Sequence, residues 1–201
     1  MNYTAHLFLA EPTDEHRVGS LLADFTVGTL ETLRERFSPD IVSGIAHHRA
    51  VDRYTDTHKT VIAAVDALTP DFGLYASIVA DVAFDHFLLK HWQCYTDESS
   101  DRFLDCAYRS LAAVQGDFPK RFVQVIDGLV ERRWLASYID LESTAYALKR
   151  IGMRFSRPTP LADALPGLRR HYSTLETAFL TFFPDLHTYA RTPELLKSCQ
   201  M

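Results

Sequence analysis

The sequence predicts an all-α protein built as a single helical bundle. Three observations carry that reading. Apolar residues recur at spacings of three and four rather than in alternation, and runs of β-branched residues bounded by turn signals are scarce. No stretch of the 201 residues is rich enough in Pro, Gly or Ser to divide domains. A chain of this length suits one domain, 1–201, around one buried core.

The elements follow in order. A short helix is expected over about 15–25. Ser38-Pro39 reads as an N-cap followed by proline at the first helical position. It opens a helix to about Thr55 in which Ile41, Ile45 and His48 share a face. The strongest segment covers 70–92, where Ile78, Val82, Phe84, Leu88 and Trp92 supply the buried surface. Further helices are expected over 99–115, 119–133, 137–152 and 162–183, most of them separated by Gly, Pro or polar turn residues.

Composition narrows the function classes. With 47% hydrophobic and 23% charged residues the chain is ordinary globular material. Its apolar runs, such as 61–65 and 87–89, are closed by Asp66 and Lys90, so no membrane insertion is expected. The opening MNYTAHLFLAEPTDEH has no basic leader, and Cys94, Cys106 and Cys199 show no CxxC spacing. A cytoplasmic location is the expectation, with neither a disulfide framework nor a zinc knuckle. A net charge of −5 argues against nucleic acid as partner. Basic clusters remain at Arg132-Arg133, at Arg169-Arg170, and around Lys149, Arg150, Arg154 and Arg157, each either a docking patch or a solvated helix face.

The chemistry concentrates in two blocks. HHRAVDRYTDTH, 47–58, holds five potential ligand or acid/base residues in twelve positions. On a helix His48, Asp52 and Asp56 follow one another at intervals of four, so an imidazole and two carboxylates line one face, able to bind a divalent cation. In DVAFDH, 81–86, Asp81 and Asp85 stand four apart within an otherwise core-forming helix. Burying both costs roughly several kcal/mol unless a cation or hydrogen bonds compensate. Caps, salt bridges or solvent exposure would account for these residues equally well one at a time. His6 lies in an apolar stretch and Asp24 follows Leu21-Leu22-Ala23; each reads as a ligand or as a hydrogen-bonded buried group, while His171, before Tyr172, reads as a ligand or as an ordinary half-exposed histidine. His and Asp donors without a thiolate suit Mn²⁺, Mg²⁺ or Fe²⁺, with Zn²⁺ a further option. Such a cation points to hydrolysis of a phosphate ester, and no phosphate loop, dinucleotide fingerprint, GxSxG elbow or Cys nucleophile competes.

With these residues in view, the chain resembles the acyl carrier protein phosphodiesterases. The likeness rests on MNYTAHLFLA, GSLLADF, GIAHHRAVDRYTD, DVAFDHFLLKHW, HYSTLETAF and FFP, which together run from residue 1 to about residue 184. The resemblance implies a helical variant of the HD phosphohydrolase architecture that releases 4′-phosphopantetheine from holo acyl carrier protein, usually with Mn²⁺. It implicates Asp24, His48, Asp52, Asp85 and His86 in catalysis, Asp24, His48, Asp52, Asp81 and Asp85 in metal binding, and His6 and Asp56 as neighbours. No His-Asp dipeptide occurs in the chain, a departure from the plain HD signature. An acidic carrier would dock on a basic patch, for which Arg132, Arg133, Lys149, Arg150, Arg169 and Arg170 are the expectation, with Tyr54 and Trp92 as groove walls or core. Two other readings stand beside this one: an HD-type hydrolase of a nucleotide or other small phosphodiester, and a noncatalytic module that binds the carrier. His47, His58 and His91 have no assigned role.

Overall fold

The computed structural model describes residues 1–200, and among them every regular element is helical. The α-helices are α1 (Tyr3–Leu9), α2 (Asp14–Leu22), α3 (Leu30–Arg34), α4 (Pro39–Thr57), α5 (Lys59–Phe72), α6 (Ala76–Lys90), α7 (Ser100–Ala113), α8 (Lys120–Arg132), α9 (Leu141–Gly152), α10 (Leu165–Tyr189) and α11 (Pro193–Gln200). Short 3₁₀ turns join several of them.

α6 is the hub, packed against α1, α5, α9 and α10. Its residues from Val82 to Leu89 are all buried, so it lacks the polar face of a surface helix. The aromatic centre of the core is built by α6 and α10. Phe84 faces Phe179 and Phe182, with ring centroids 5.8 and 5.9 Å apart, and Phe179 stacks on Phe183 at 4.8 Å. Each such ring, fully withdrawn from water, contributes roughly 1.5–3 kcal/mol.

The second organising contact is between α2 and α4, whose backbones meet at two glycines. A Cβ on Gly19 would lie 2.1 Å from the Ile41 carbonyl oxygen, and one on Gly44 would lie 2.3 Å from that of His16. Only glycine permits this approach.

Ser38 does cap α4, its hydroxyl accepting from the Ile41 N–H, and Pro39 occupies the first helical position. The single helix expected over 70–92 is instead two. Pro70 lies in the last turn of α5, Gly73 takes φ +54°, and a 3₁₀ turn leads into α6. A left-handed glycine ends a helix more effectively than an N-terminal-looking proline begins one. The stretch Lys59–Lys90 is apolar and long enough by composition to cross a bilayer, yet it is broken at Gly73 and most of it is buried within the protein.

Pro184 does not end α10, which continues to Tyr189. The proline removes one backbone bond, while Leu186 beyond it is buried in the core and holds the last turns in place. At the other end the helix starts at Leu165, and a 3₁₀ turn at Pro160–Asp163 occupies the residues before it. Likewise Trp134–Ile139 is a 3₁₀ turn, so the helix expected from 137 begins at Leu141, capped by Asp140.

Candidate metal centre

The site forms where α1, α4 and the turn after α2 meet. His6 of α1 and His48 of α4 are buried, with stacked rings 3.7 Å apart at 16°. Asp52, one turn beyond His48, lies between them: its Oδ1 is 3.1 Å from His6 Nε2 and its Oδ2 is 2.9 Å from His48 Nε2. Asp24, in the 3₁₀ turn Ala23–Phe25, approaches His48 Nε2 at 3.3 Å and keeps 49% of its side chain exposed. One ligand atom each from His6, His48 and Asp52 lies within 4.8 Å of the others, a grouping that could hold a metal ion.

A further cation is the α-ammonium of Met1, buried 3.1 Å from Asp81 Oδ1 and 3.5 Å from Asp52 Oδ1. Sequence reasoning missed it, because a backbone amine carries no residue-type signal.

The electrostatics are those of a crowded charge cluster. Burial works against the His48 imidazolium, but Asp24 and Asp52 outweigh it and raise its pKa to about 9. Burial and the neighbouring His48 lower His6 to about 4. Burial would raise Asp52, yet hydrogen bonds from His48 and His6 hold it well below the carboxylate range. In the same way the Met1 ammonium rises to about 10 against its burial, carried by Asp81 and Asp52. Asp81 itself is raised by burial, the Met1 ammonium only partly opposing.

Not every residue of the two blocks turns toward this cluster. Asp85 is fully buried and faces α1, where Oδ2 accepts from the Thr4 N–H at 2.8 Å and Oδ1 from the Ala5 N–H at 2.9 Å. It is the N-terminal cap that Asn2 does not supply. Burial pushes its pKa to about 7, against those two bonds. His86 points elsewhere: Nδ1–H donates to the Tyr138 carbonyl at 2.8 Å, and Nε2 meets the Tyr172 hydroxyl at 3.1 Å. Asp56 is exposed at the end of α4, on the Asp81 side of the cluster.

Four further histidines, His47, His58, His91 and His171, have partners of their own outside the cluster. His47 donates to the Ala190 carbonyl, His58 caps α5 and reaches Asp185, His91 bonds Glu176, and His171 bonds Asp71. Tyr54 stacks on Tyr189, and Trp92 packs against Phe8 and Phe103, so both aromatics are packing residues. Most of the expected docking arginines are engaged. Arg133 pairs with Asp105, Arg169 with Glu142 and Arg170 with Asp71, and Arg132 lies 4.0 Å from Glu131. Among the described residues Lys149, Arg150, Arg154 and Arg157 form no ion pair.

The family model described as acyl carrier protein phosphodiesterase matches residues 1–186. The chain belongs to the acyl carrier protein phosphodiesterase family. Curated relatives carry the same name. The Salmonella agona (strain SL483) protein is 36% identical over 191 residues, covering 94% of this chain and 97% of the relative. The Enterobacter sp. (strain 638) protein is 34% identical over 196 residues, 97% of this chain and 100% of the relative. No solved structure gives a significant match. All members of the charge cluster, from Met1 to Asp81, fall within the part matched by the acyl carrier protein phosphodiesterase model.

Proposed function

We propose that this chain hydrolyses holo acyl carrier protein, cleaving the phosphodiester between the carrier serine and 4′-phosphopantetheine, with Mn²⁺ as the working cation. The observation that carries the metal reading is the convergence of His6, His48 and Asp52 from two helices. The donor set fits a divalent cation. His6 Nε2 is buried and among the described residues has no polar partner but Asp52, at 3.1 Å, so its lone coordinating direction points into the group. Two imidazoles and a carboxylate, with Asp24 and Asp81 adjacent, are borderline-to-hard donors that suit Mn²⁺, Mg²⁺ or Fe²⁺.

When bound, the cation supplies Lewis acidity toward a phosphoryl oxygen and toward water. The protein's own groups do the rest. The stacked His6 and His48 rings fix the two imidazoles, and Asp52 orients both. Asp24 is the carboxylate facing solvent beside His48 and is the group placed to take up a proton. Asp85 positions His6 by holding the first turn of α1. His86 acts through the Tyr138 and Tyr172 contacts, outside the metal group.

The arrangement is a variant of the HD phosphohydrolase architecture, supported by paired His and Asp donors on crossing helices. The carrier docks at Lys149, Arg150, Arg154 and Arg157. Support comes from their lack of ion pairs and from the influence of the Arg154 charge on the hydroxyl of Tyr3, beside Asp24. Free cysteines throughout support work in the cytoplasm.

The test is release of 4′-phosphopantetheine from holo carrier with Mn²⁺, with and without chelator. Metal-dependent release is expected, and its loss together with Mn²⁺ binding in Asp52→Ala. Metal-independent release, or cleavage of small nucleotide diesters in preference to the carrier, would overturn the reading.

A further inference from the structure

Two arginines and two glutamates share the wall of a cavity of about 460 Å³ at the other end of α1. That is the size of a small-molecule site. Its walls are aromatic, from Phe8, Tyr95 and Phe103, and two guanidiniums face into it, Arg17 of α2 and Arg191 beyond α10.

Both arginines are held by rings and neutral oxygens rather than by carboxylates. Arg17 lies 5.7 Å from the Phe103 ring centroid and donates from Nη1 to the Ser110 hydroxyl at 3.0 Å. Its Nε is buried and bonds nothing. Arg191 lies 5.4 Å from the Phe8 centroid, with only a 3.4 Å bond to the His187 carbonyl. His187, also in the wall, leaves its own Nε2 buried without a partner.

Two glutamates share the wall but do not neutralise the pair. Glu98 is engaged with Arg102 at 3.4 Å, and Glu11 stays beyond ion-pair distance of both guanidiniums. Burial draws the Arg191 pKa down with no carboxylate opposing it. Arg191 nonetheless lies exposed at the rim, while the buried Arg17 Nε–H is costly to leave without an acceptor, and an anion in the cavity would supply one.

We infer that this cavity binds a small amphipathic anion, its carboxylate or phosphate head held between Arg17 and Arg191 and its apolar part against Phe8, Tyr95 and Phe103. The planar fork of arginine matches either head group, and the Arg17 Nε–H gains the acceptor it lacks. The inference is independent of the metal centre and of the reaction proposed for it.

Calorimetric titration of the full chain with octanoate, octyl phosphate and octanol tests it. Trp92, packed 4.9 Å from Phe8 and 5.0 Å from Phe103, gives a parallel fluorescence readout. One-site binding of at least one anion is expected, with octanol weaker by about tenfold or more. Arg191→Ala and Arg17→Met should each weaken the anion by a similar factor, and Arg191→Lys should recover part of the loss. Release of phosphopantetheine by these variants should stay at the wild-type rate. Three outcomes overturn the inference: no saturable binding of either anion, octanol binding as tightly, or full affinity in both arginine variants. A variant that unfolds is decided by Arg191→Lys, whose undiminished or wholly absent binding would also count against it.

Discussion

Replacing Gly44 by Ala should damage both stability and turnover, although the same change in most helices is favourable. An alanine Cβ at this position would lie 2.3 Å from the His16 carbonyl oxygen, 2.9 Å from the Ser20 nitrogen and 3.0 Å from the Gly19 Cα. All three are backbone atoms, so no side chain can rotate aside. Carbon meets such atoms comfortably at about 3.5 Å, so α2 and α4 must separate by roughly 1 Å. The intrinsic helix gain of Gly→Ala, about 1 kcal/mol, is set against an overpacking cost of about 1–3 kcal/mol or more. The net expectation is a loss of up to about 2 kcal/mol in urea unfolding. The same displacement stretches the 3.3 Å contact between Asp24, which follows α2, and His48 of α4. Phosphopantetheine release should therefore fall by about tenfold or more, since misplacements near 1 Å are costly in catalysis. Full turnover in a Gly44→Ala protein as stable as wild type would refute the argument that backbone contact between these helices sets the site.

Three further outcomes follow from other parts of the molecule. Asp85→Asn leaves one oxygen for two N–H donors, so Thr4 or Ala5 loses its acceptor; urea unfolding should show a loss of about 1–3 kcal/mol, and an unchanged midpoint would contradict the cap. Phe183→Ala, at a fully buried position, should cost about 3–5 kcal/mol by the same assay, and a loss under 1 kcal/mol would mean the core refills the space. His16 is held neutral, its pKa lowered to about 4 by burial and by His47. Above pH ~6.5 neither folded nor unfolded chain carries this proton; as pH falls toward 4 only the unfolded chain takes it, so stability drops by on the order of 3 kcal/mol. His16→Gln should show a smaller loss of stability between pH 7 and pH 4.5 than wild type, and equal slopes would exclude His16 as the source.

The parts of the fold written in local signals were legible. Ser38-Pro39 announced α4, and the interval of four between His48 and Asp52 put both on the face that reaches His6 and Asp24. Where the deciding contact is distant, sequence gave no warning. α1 has its cap on Asp85, eighty-one positions away, and without that partner the opening residues look like an apolar strand-length run. The turn at Gly73 was hidden because apolar residues continue on both sides of it. Asp85 and His86 are adjacent in sequence, and the helix turns them toward different neighbours, one to α1 and the other to Tyr138 and Tyr172. The Asp/His pattern therefore holds residues that converge, His48 and Asp52, beside others that turn elsewhere, Asp85 and His86.

The remote cap of α1 also bears on the order of events during synthesis. Seven residues are too few to hold a helix in water, and nothing local caps this one. Residues 1–9 leave the ribosome before α6 but cannot settle until α6 has emerged and delivered its carboxylate. An early helix thus waits for a partner made some 81 residues later, and until then the imidazole at position 6 has no fixed address.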